Sequence, residues 1–186
     1  MAFLTANELA QMGFKKIGEN VKVSSRASIY RPYEIEIGDN TRIDDFCLIS
    51  GRVIIGRNVH IAAFSNICAG ECSITFEDFS GLAYGCHIFT GSDDYSGKFL
   101  TNPTIPIELK GLVEADVVLR KHVIVGTNSI VFPGVIIAEG CAIGAMTLVT
   151  KSTDPWGIYF GIPAKRLKNR KKDLLELEKK YLSDYV

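Results

Sequence analysis

The sequence predicts a parallel β-helix, and three observations carry that reading. With two spacing slips and one long interruption, an aliphatic side chain returns at every sixth residue. The series is Ile17, Val23, Ile29, Ile37, Ile43, Ile49, Ile55, Ile61 and Ile67, then Phe76, Leu82 and Ile88, then Leu119, Val125, Val131, Ile137, Ile143 and Val149. The residue four places further on is small at nearly every repeat, as at Ala27, Thr41, Cys47, Ser65, Ser80, Cys86, Ser129, Cys141 and Thr147. Glycine, alanine or serine often follows the aliphatic directly, as at Gly18, Ser24, Gly38, Gly56, Ala62, Ala83, Gly126 and Gly144. A helix repeats roughly every 3.6 residues and a half-buried strand every second one, so neither produces this register. A sustained hexad marks a solenoid of stacked short strands.

The repeat has a direct physical meaning. Three hexads close one triangular coil of about 18 residues, and coils stack at about 4.8 Å, the spacing of strands in a sheet. Each aliphatic then lies on its counterparts above and below, and burying each contributes roughly 1.5–3 kcal/mol. The small residue shares an interior where three walls converge, and glycine or alanine near a corner allows a tight turn and close backbone approach. Stability built from neighbour contacts leaves the end coils in need of caps. Thr5 and Glu8 form a capping box that opens a short helix ending near Gly13, placed to plug the first coil. The expected architecture is all-β and a single domain over 1–186, with a capping helix in 1–14 and a β-helix of about six coils in 15–160. A loop, 93–116, is inserted in it, and 161–186 forms a C-terminal extension ending in a helix. Asp173 and Glu176 read as a second capping box there, with Leu174, Leu177, Tyr181 and Leu182 as the apolar stripe.

Composition narrows the function classes. The 186 residues carry 21 basic and 21 acidic side chains, a net charge of zero, without the basic stripe of a nucleic-acid binder. The first residues lack the basic and apolar regions of a signal peptide, and no apolar run is long enough to span a bilayer. Five cysteines fit a reduced, cytoplasmic setting, and Cys47, Cys86 and Cys141 fall in the small interior slot, where packing accounts for them. The interruption at 93–116 has neither helical nor hexad periodicity. Loops of more than about 12–15 residues are uncommon in compact domains and are often functional. This one is expected to hang over a binding surface.

Three stretches carry a family resemblance: Val125 to Gly134 (VGTNSIVFPG), Ile143 to Lys151 (IGAMTLVTK) and the exit Gly161-Ile-Pro-Ala-Lys165. With the hexads and the long loop they resemble the left-handed β-helix acyltransferases, above all the sugar acetyltransferases of the galactoside, maltose and O-antigen types. The left hand of the coil comes from that resemblance alone. The resemblance implies a homotrimer with acetyl-CoA in a cleft between neighbouring subunits. It places Gly126, Thr127 and Ala145 against the pantetheine arm, Thr150 and Lys151 near the nucleotide end, and Lys165 and Lys168 close to the phosphates. It implies no metal.

One position departs from the family pattern. Sugar O-acetyltransferases of this type carry a histidine base at the mouth of the long loop, where this chain has Asp93 and Asp94. A sugar hydroxyl needs a base poised near neutrality, and an ordinary aspartate, with a pKa of about 3.9, matches that poorly. An amine is nucleophilic in its neutral form, and a carboxylate can hold and orient it. The like-charged neighbour, or cover from the loop, is expected to raise one of the two pKa values. The departure favours N-acetylation of an amino-deoxy sugar, nucleotide-linked on the family's pattern and feeding surface polysaccharide such as lipopolysaccharide O-antigen. The alternative is sugar O-acetylation. His87, one corner away, is a second candidate base; Asn66 stacks one coil below it, able to orient it or touch the acceptor, and Ser92 lines the acceptor side. A zinc enzyme of the γ-carbonic anhydrase type would need His60, His87 and His122 in matching slots, which the hexads do not provide. A non-catalytic scaffold would need neither the long loop nor the cationic exit.

Overall fold

The structure, a computed structural model, describes residues 2–185. Six complete coils stack into three parallel walls. The first wall is built from Lys16–Ile17, Glu36–Ile37, Val53–Ile55, Ile74–Phe76, Val117–Leu119 and Ile136–Ile137. The second runs Lys22–Val23, Arg42–Ile43, His60–Ile61, Gly81–Leu82, Ile124–Val125 and Ala142–Ile143. The third runs Ser28–Tyr30, Leu48–Ser50, Asn66–Cys68, His87–Phe89, Ile130–Val131 and Leu148–Val149. Gly157–Phe160 then joins the second wall and begins a seventh turn. The hexad aliphatics meet in register, Ile43 on Ile61 and Ile67 on Ile88 for example, and from Val23 to Val149 all except the half-buried Ile29 are almost wholly buried.

The small interior residues do more than fit. Four of them donate to carbonyls of the adjoining coil: Thr41 to Gly56 and Ser129 to Gly144, both at 2.9 Å, and Cys47 to Ala62 and Cys86 to Gly126, both at 3.2 Å. A corner carbonyl facing the interior would otherwise lack a partner, which is costly. Burial pushes the Cys47 and Cys86 thiols up to about 11, so both remain protonated donors.

The glycines that follow the hexad aliphatics, Gly18, Gly38, Gly56, Gly126 and Gly144, serve close approach and not turning, which corrects one half of the expectation for them. A Cβ on Gly126 would stand 2.5 Å from the Ala145 nitrogen in the next coil. The left-handed backbone positions that turn the corners are taken mostly by other residues, among them Asn40, Asn58, Phe46, Phe64, His122 and Met146.

Helix α1 (Ala6–Gln11) has the expected capping box, Thr5 and Glu8 each capping the other's backbone N–H. Leu4, Leu9, Met12 and Phe14 close the bottom of the core. At the top the chain does not simply leave: Lys165–Asn169 folds back antiparallel on Gly157–Phe160. Helix α2 (Leu174–Asp184) follows, and its Asp173 makes no side-chain cap, because its backbone is already helical. No helix among the described residues is long and apolar enough to cross a membrane.

Candidate active site

Alternation along a strand sends Ile67 and Ile88 inward, so Asn66 and His87 point out from the third wall. They are direct partners in register, and the Asn66 Nδ2 lies 3.1 Å from His87 Nδ1. The predicted stack is therefore a hydrogen bond. Ile130 lies above His87 and Leu48 below Asn66.

The loop leaves from the corner just beyond this pair. Its neck is a short antiparallel ribbon, Gly91–Ser92 against Val113–Glu114, and the Ala115 N–H donates to the Thr90 carbonyl. Inside the neck, Asp93 Oδ2 accepts the Asn102 N–H at 3.0 Å, and Oδ1 lies 3.4 Å from Lys110 Nζ. The Ser92 hydroxyl donates to the Asp93 carbonyl. Asp94 Oδ2 accepts from both the N–H and the hydroxyl of Ser96. Asp93 is not the raised member of the pair: the Asn102 N–H, reinforced by Lys110, outweighs partial burial and holds its carboxyl below the usual range. The like-charged neighbour is not what governs it. Asp93 thus clamps the loop neck through the Asn102 N–H and the Lys110 ammonium.

The residues assigned to coenzyme A occupy the coils above. Gly126, Thr127 and Ala145 sit on the corner between second and third walls, Gly126 and Ala145 meeting backbone to backbone. Thr150 and Lys151 lie just past the last strand of the third wall, and Lys165 and Lys168 on the antiparallel strand; all four are exposed. The Gly161 N–H donates to the Thr147 hydroxyl and the Ala164 N–H to the Leu148 carbonyl, which holds the exit segment beside the last coil.

A groove of about 810 Å³ lies elsewhere, between the second wall and α2. Its floor is His60, Ala62, Gly81, Ala83 and Ile124, rimmed by Leu174, Leu177 and Tyr181 on one side and Tyr84 on the other. None of the residues assigned from the sequence to catalysis, the acceptor or coenzyme A lines it. His60 Nε2 lies 2.9 Å from the buried Asp44, whose other oxygen accepts from Arg42 Nε at 2.7 Å. His122 pairs instead with Glu178 of α2, so the three histidines stand apart with different partners, Asp44, Asn66 and Glu178. The Asp44–His60 pair spans 16 residues and shows only once the coils are stacked. Its one signal is that Lys22, Arg42 and His60 share a slot.

With this geometry in view, the family described as bacterial transferase hexapeptide (six repeats) matches residues 34–69. A dTDP-4-amino-4,6-dideoxy-D-glucose acyltransferase of Escherichia coli is 42% identical over 96% of this chain and 94% of its own. The chain belongs to the hexapeptide-repeat acyltransferases of the left-handed β-helix type. Among solved structures of the family, AntD, an N-acyltransferase from Bacillus cereus in complex with dTDP and 3-hydroxybutyryl-CoA, superposes with a TM-score of 0.96. It is 45% identical and covers 98% of both chains. A maltose O-acetyltransferase from Clostridium difficile 630, 19% identical with a TM-score of 0.56, shares the fold alone. This hexapeptide-repeat protein is an acyltransferase.

Proposed function

We propose that this acyltransferase moves an acyl group from a coenzyme A thioester to the amine of a nucleotide-linked amino-dideoxy sugar. The observation that carries the reading is the ionised carboxylate at the loop mouth, where a hydroxyl-acylating relative would carry a base. Two relatives support it: the E. coli protein named for dTDP-4-amino-4,6-dideoxy-D-glucose, and AntD, whose variants were solved with that sugar nucleotide and coenzyme A. In the reaction the amine nitrogen forms a bond to the thioester carbon and the C–S bond breaks. The pair of electrons leaves with sulfur, and the balanced sum places the amine's lost proton on the coenzyme thiol.

Asp93 secures the loop, and Asp94, whose Oδ2 alone is spent on the Ser96 turn, offers its second oxygen to the amine. His87, on its Asn66 support, faces the acceptor, with Ser92 at the rim. Gly126, Thr127 and Ala145 line the pantetheine arm, while Thr150, Lys151, Lys165 and Lys168 meet the nucleotide and phosphates, where cations and N–H donors are required. These groups converge in a homotrimer, in which the loop-side site of one subunit is completed by the face of the next. Phe46, Phe64, Tyr84 and Met146, at least half exposed along one corner, and the groove beside α2 are surfaces such a neighbour would cover. The product serves surface polysaccharide made from cytoplasmic sugar nucleotides.

The test is thiol release with acetyl-CoA and 3-hydroxybutyryl-CoA as donors, each offered dTDP-4-amino-4,6-dideoxyglucose or its 4-hydroxy counterpart. Release with the amine alone is the expected result, acetyl being the donor the family resemblance implies. Release with the hydroxy sugar alone would make the protein an O-acyltransferase and overturn the reading.

A further inference from the structure

We infer that Asn66 is a positioning residue that fixes His87 as a hydrogen-bond donor toward the acceptor, with its proton on Nε2, and so removes it from the role of general base. The inference rests on the reading of the site above and decides what its histidine does. An asparagine amide can present either end to an imidazole, and the two ends have opposite consequences. Here the NH2 end faces His87: Asn66 Nδ2 stands 3.1 Å from Nδ1. A donor at that place occupies the Nδ1 lone pair, so the neutral ring must carry its hydrogen on Nε2. Had the carbonyl end faced the ring, Nδ1 would hold the hydrogen and Nε2 would be free to take a proton.

The surroundings leave the assignment to Asn66. The residue in register above His87 is Ile130, with no polar atom on its side chain, and the one below is Asn66 itself. No hydrogen bond or ion pair among the described residues joins His87 to the carboxylates of the loop neck: Asp93 meets Asn102 and Lys110, and Asp94 holds Ser96 with one oxygen. Asn66 is in turn held by its strand, with Ile67 locked in the core on one side of it and the Ser65 hydroxyl bonded to the Ala62 carbonyl on the other. An Nε2–H on the outer face of the third wall suits stabilisation of the charge that develops on the thioester oxygen, or orientation of an acceptor oxygen. It suits proton abstraction not at all.

Ring-15N-labelled histidine in the full-length protein reads the tautomer directly, the His87 signals being assigned by their loss in His87→Gln. The expected spectrum has Nε2 bonded to hydrogen and Nδ1 bare. Asn66→Asp, which replaces the donor by an acceptor, should move the hydrogen to Nδ1; a purely structural Asn66 would leave it in place. Hydrogen on Nδ1 in the unaltered protein overturns the inference. Turnover gives a second arm, because the Gln side chain can place an N–H close to that of Nε2 and cannot act as a base. His87→Ala should lose about 10²-fold in kcat/KM, the scale of a lost oxyanion donor, and His87→Gln less than about tenfold. Equal losses of about 10²–10⁴ from both variants would make His87 a base and overturn it. Unchanged turnover in both would remove His87 from the reaction. Absence of turnover with any sugar nucleotide sinks the functional reading and leaves the spectrum to decide the tautomer.

Discussion

His122 Nε2 lies 2.9 Å from Glu178 Oε2, tying a corner of the fifth coil to the C-terminal helix across 56 residues of sequence. Both side chains are largely buried, and Lys121 pairs with the second Glu178 oxygen. Phe79 stacks on His122 and meets the ring of Tyr181 edge-on. One carboxylate thus gathers a lysine and a histidine, and a small aromatic cluster seals them. This contact sets one wall of the groove.

Glu178→Gln is expected to loosen α2 without unfolding the coils, at a cost of about 1–3 kcal/mol for the lost charged hydrogen bonds. Hydrogen exchange should quicken over 174–184 and not in the walls. Acid should act in the same way. Burial works against the Glu178 charge, but Lys121 and His122 outweigh it and hold the carboxyl below its ordinary 4.5. A lowered folded value gives stabilisation that is complete above pH 4.5 and is lost as pH falls through the folded pKa. Protection factors in α2, corrected for the intrinsic pH dependence of exchange, that stay constant between pH 5 and about 3 would contradict this.

Asp44→Ala should destabilise the protein by about 1–3 kcal/mol, measured by urea unfolding. The buried carboxylate joins His60 to Arg42, and both partners are half exposed, so water recovers part of the loss. A double-mutant cycle with His60→Ala isolates that pair, and a coupling near zero would show that the carboxylate acts through other groups.

Gly126→Ala tests packing against cofactor contact. Its Cβ would meet backbone atoms of Gly144 and Ala145, which cannot swing aside. Overpacking of this kind costs about 1–3 kcal/mol, so the melting temperature should fall even without coenzyme A. Gly97→Ala, in the open loop, has no neighbour within reach of a new Cβ and should fall by less, reflecting only its positive φ.

Lys110→Met leaves Asp93 with the Asn102 N–H as its remaining partner and should free the loop neck. Limited proteolysis within 95–109 should accelerate, and KM for the acceptor should rise more than kcat falls. A change in kcat alone would place Lys110 in the chemistry instead.

The solenoid was legible because its cause is local and repeated. Every coil asks the same thing of position one in the hexad, so Ile43, Ile61 and Leu82 could be placed without knowing what lay above or below them. The Asn66–His87 contact was legible for the same reason, since two residues in one slot of adjacent coils must touch. The antiparallel return of Lys165–Asn169 was not, because no hexad runs through it and its partner strand is the unfinished seventh turn. That the Asp93 pKa is lowered was not legible, because sequence shows the neighbouring Asp94 and hides Asn102 and Lys110, which the closed loop delivers.

By itself, then, the sequence determined the three-walled coil, its capped lower end, the place of the loop and the column holding Asn66 and His87. Periodic burial is a sum of nearest-neighbour terms, and such terms can be read along a chain. Tertiary structure alone decided which partner each charged group meets: Glu178 for His122, Asp44 for His60, Lys110 for Asp93. Those pairings depend on where turns and loops return the chain in space, and the energy of an ion depends on everything within a few ångströms of it.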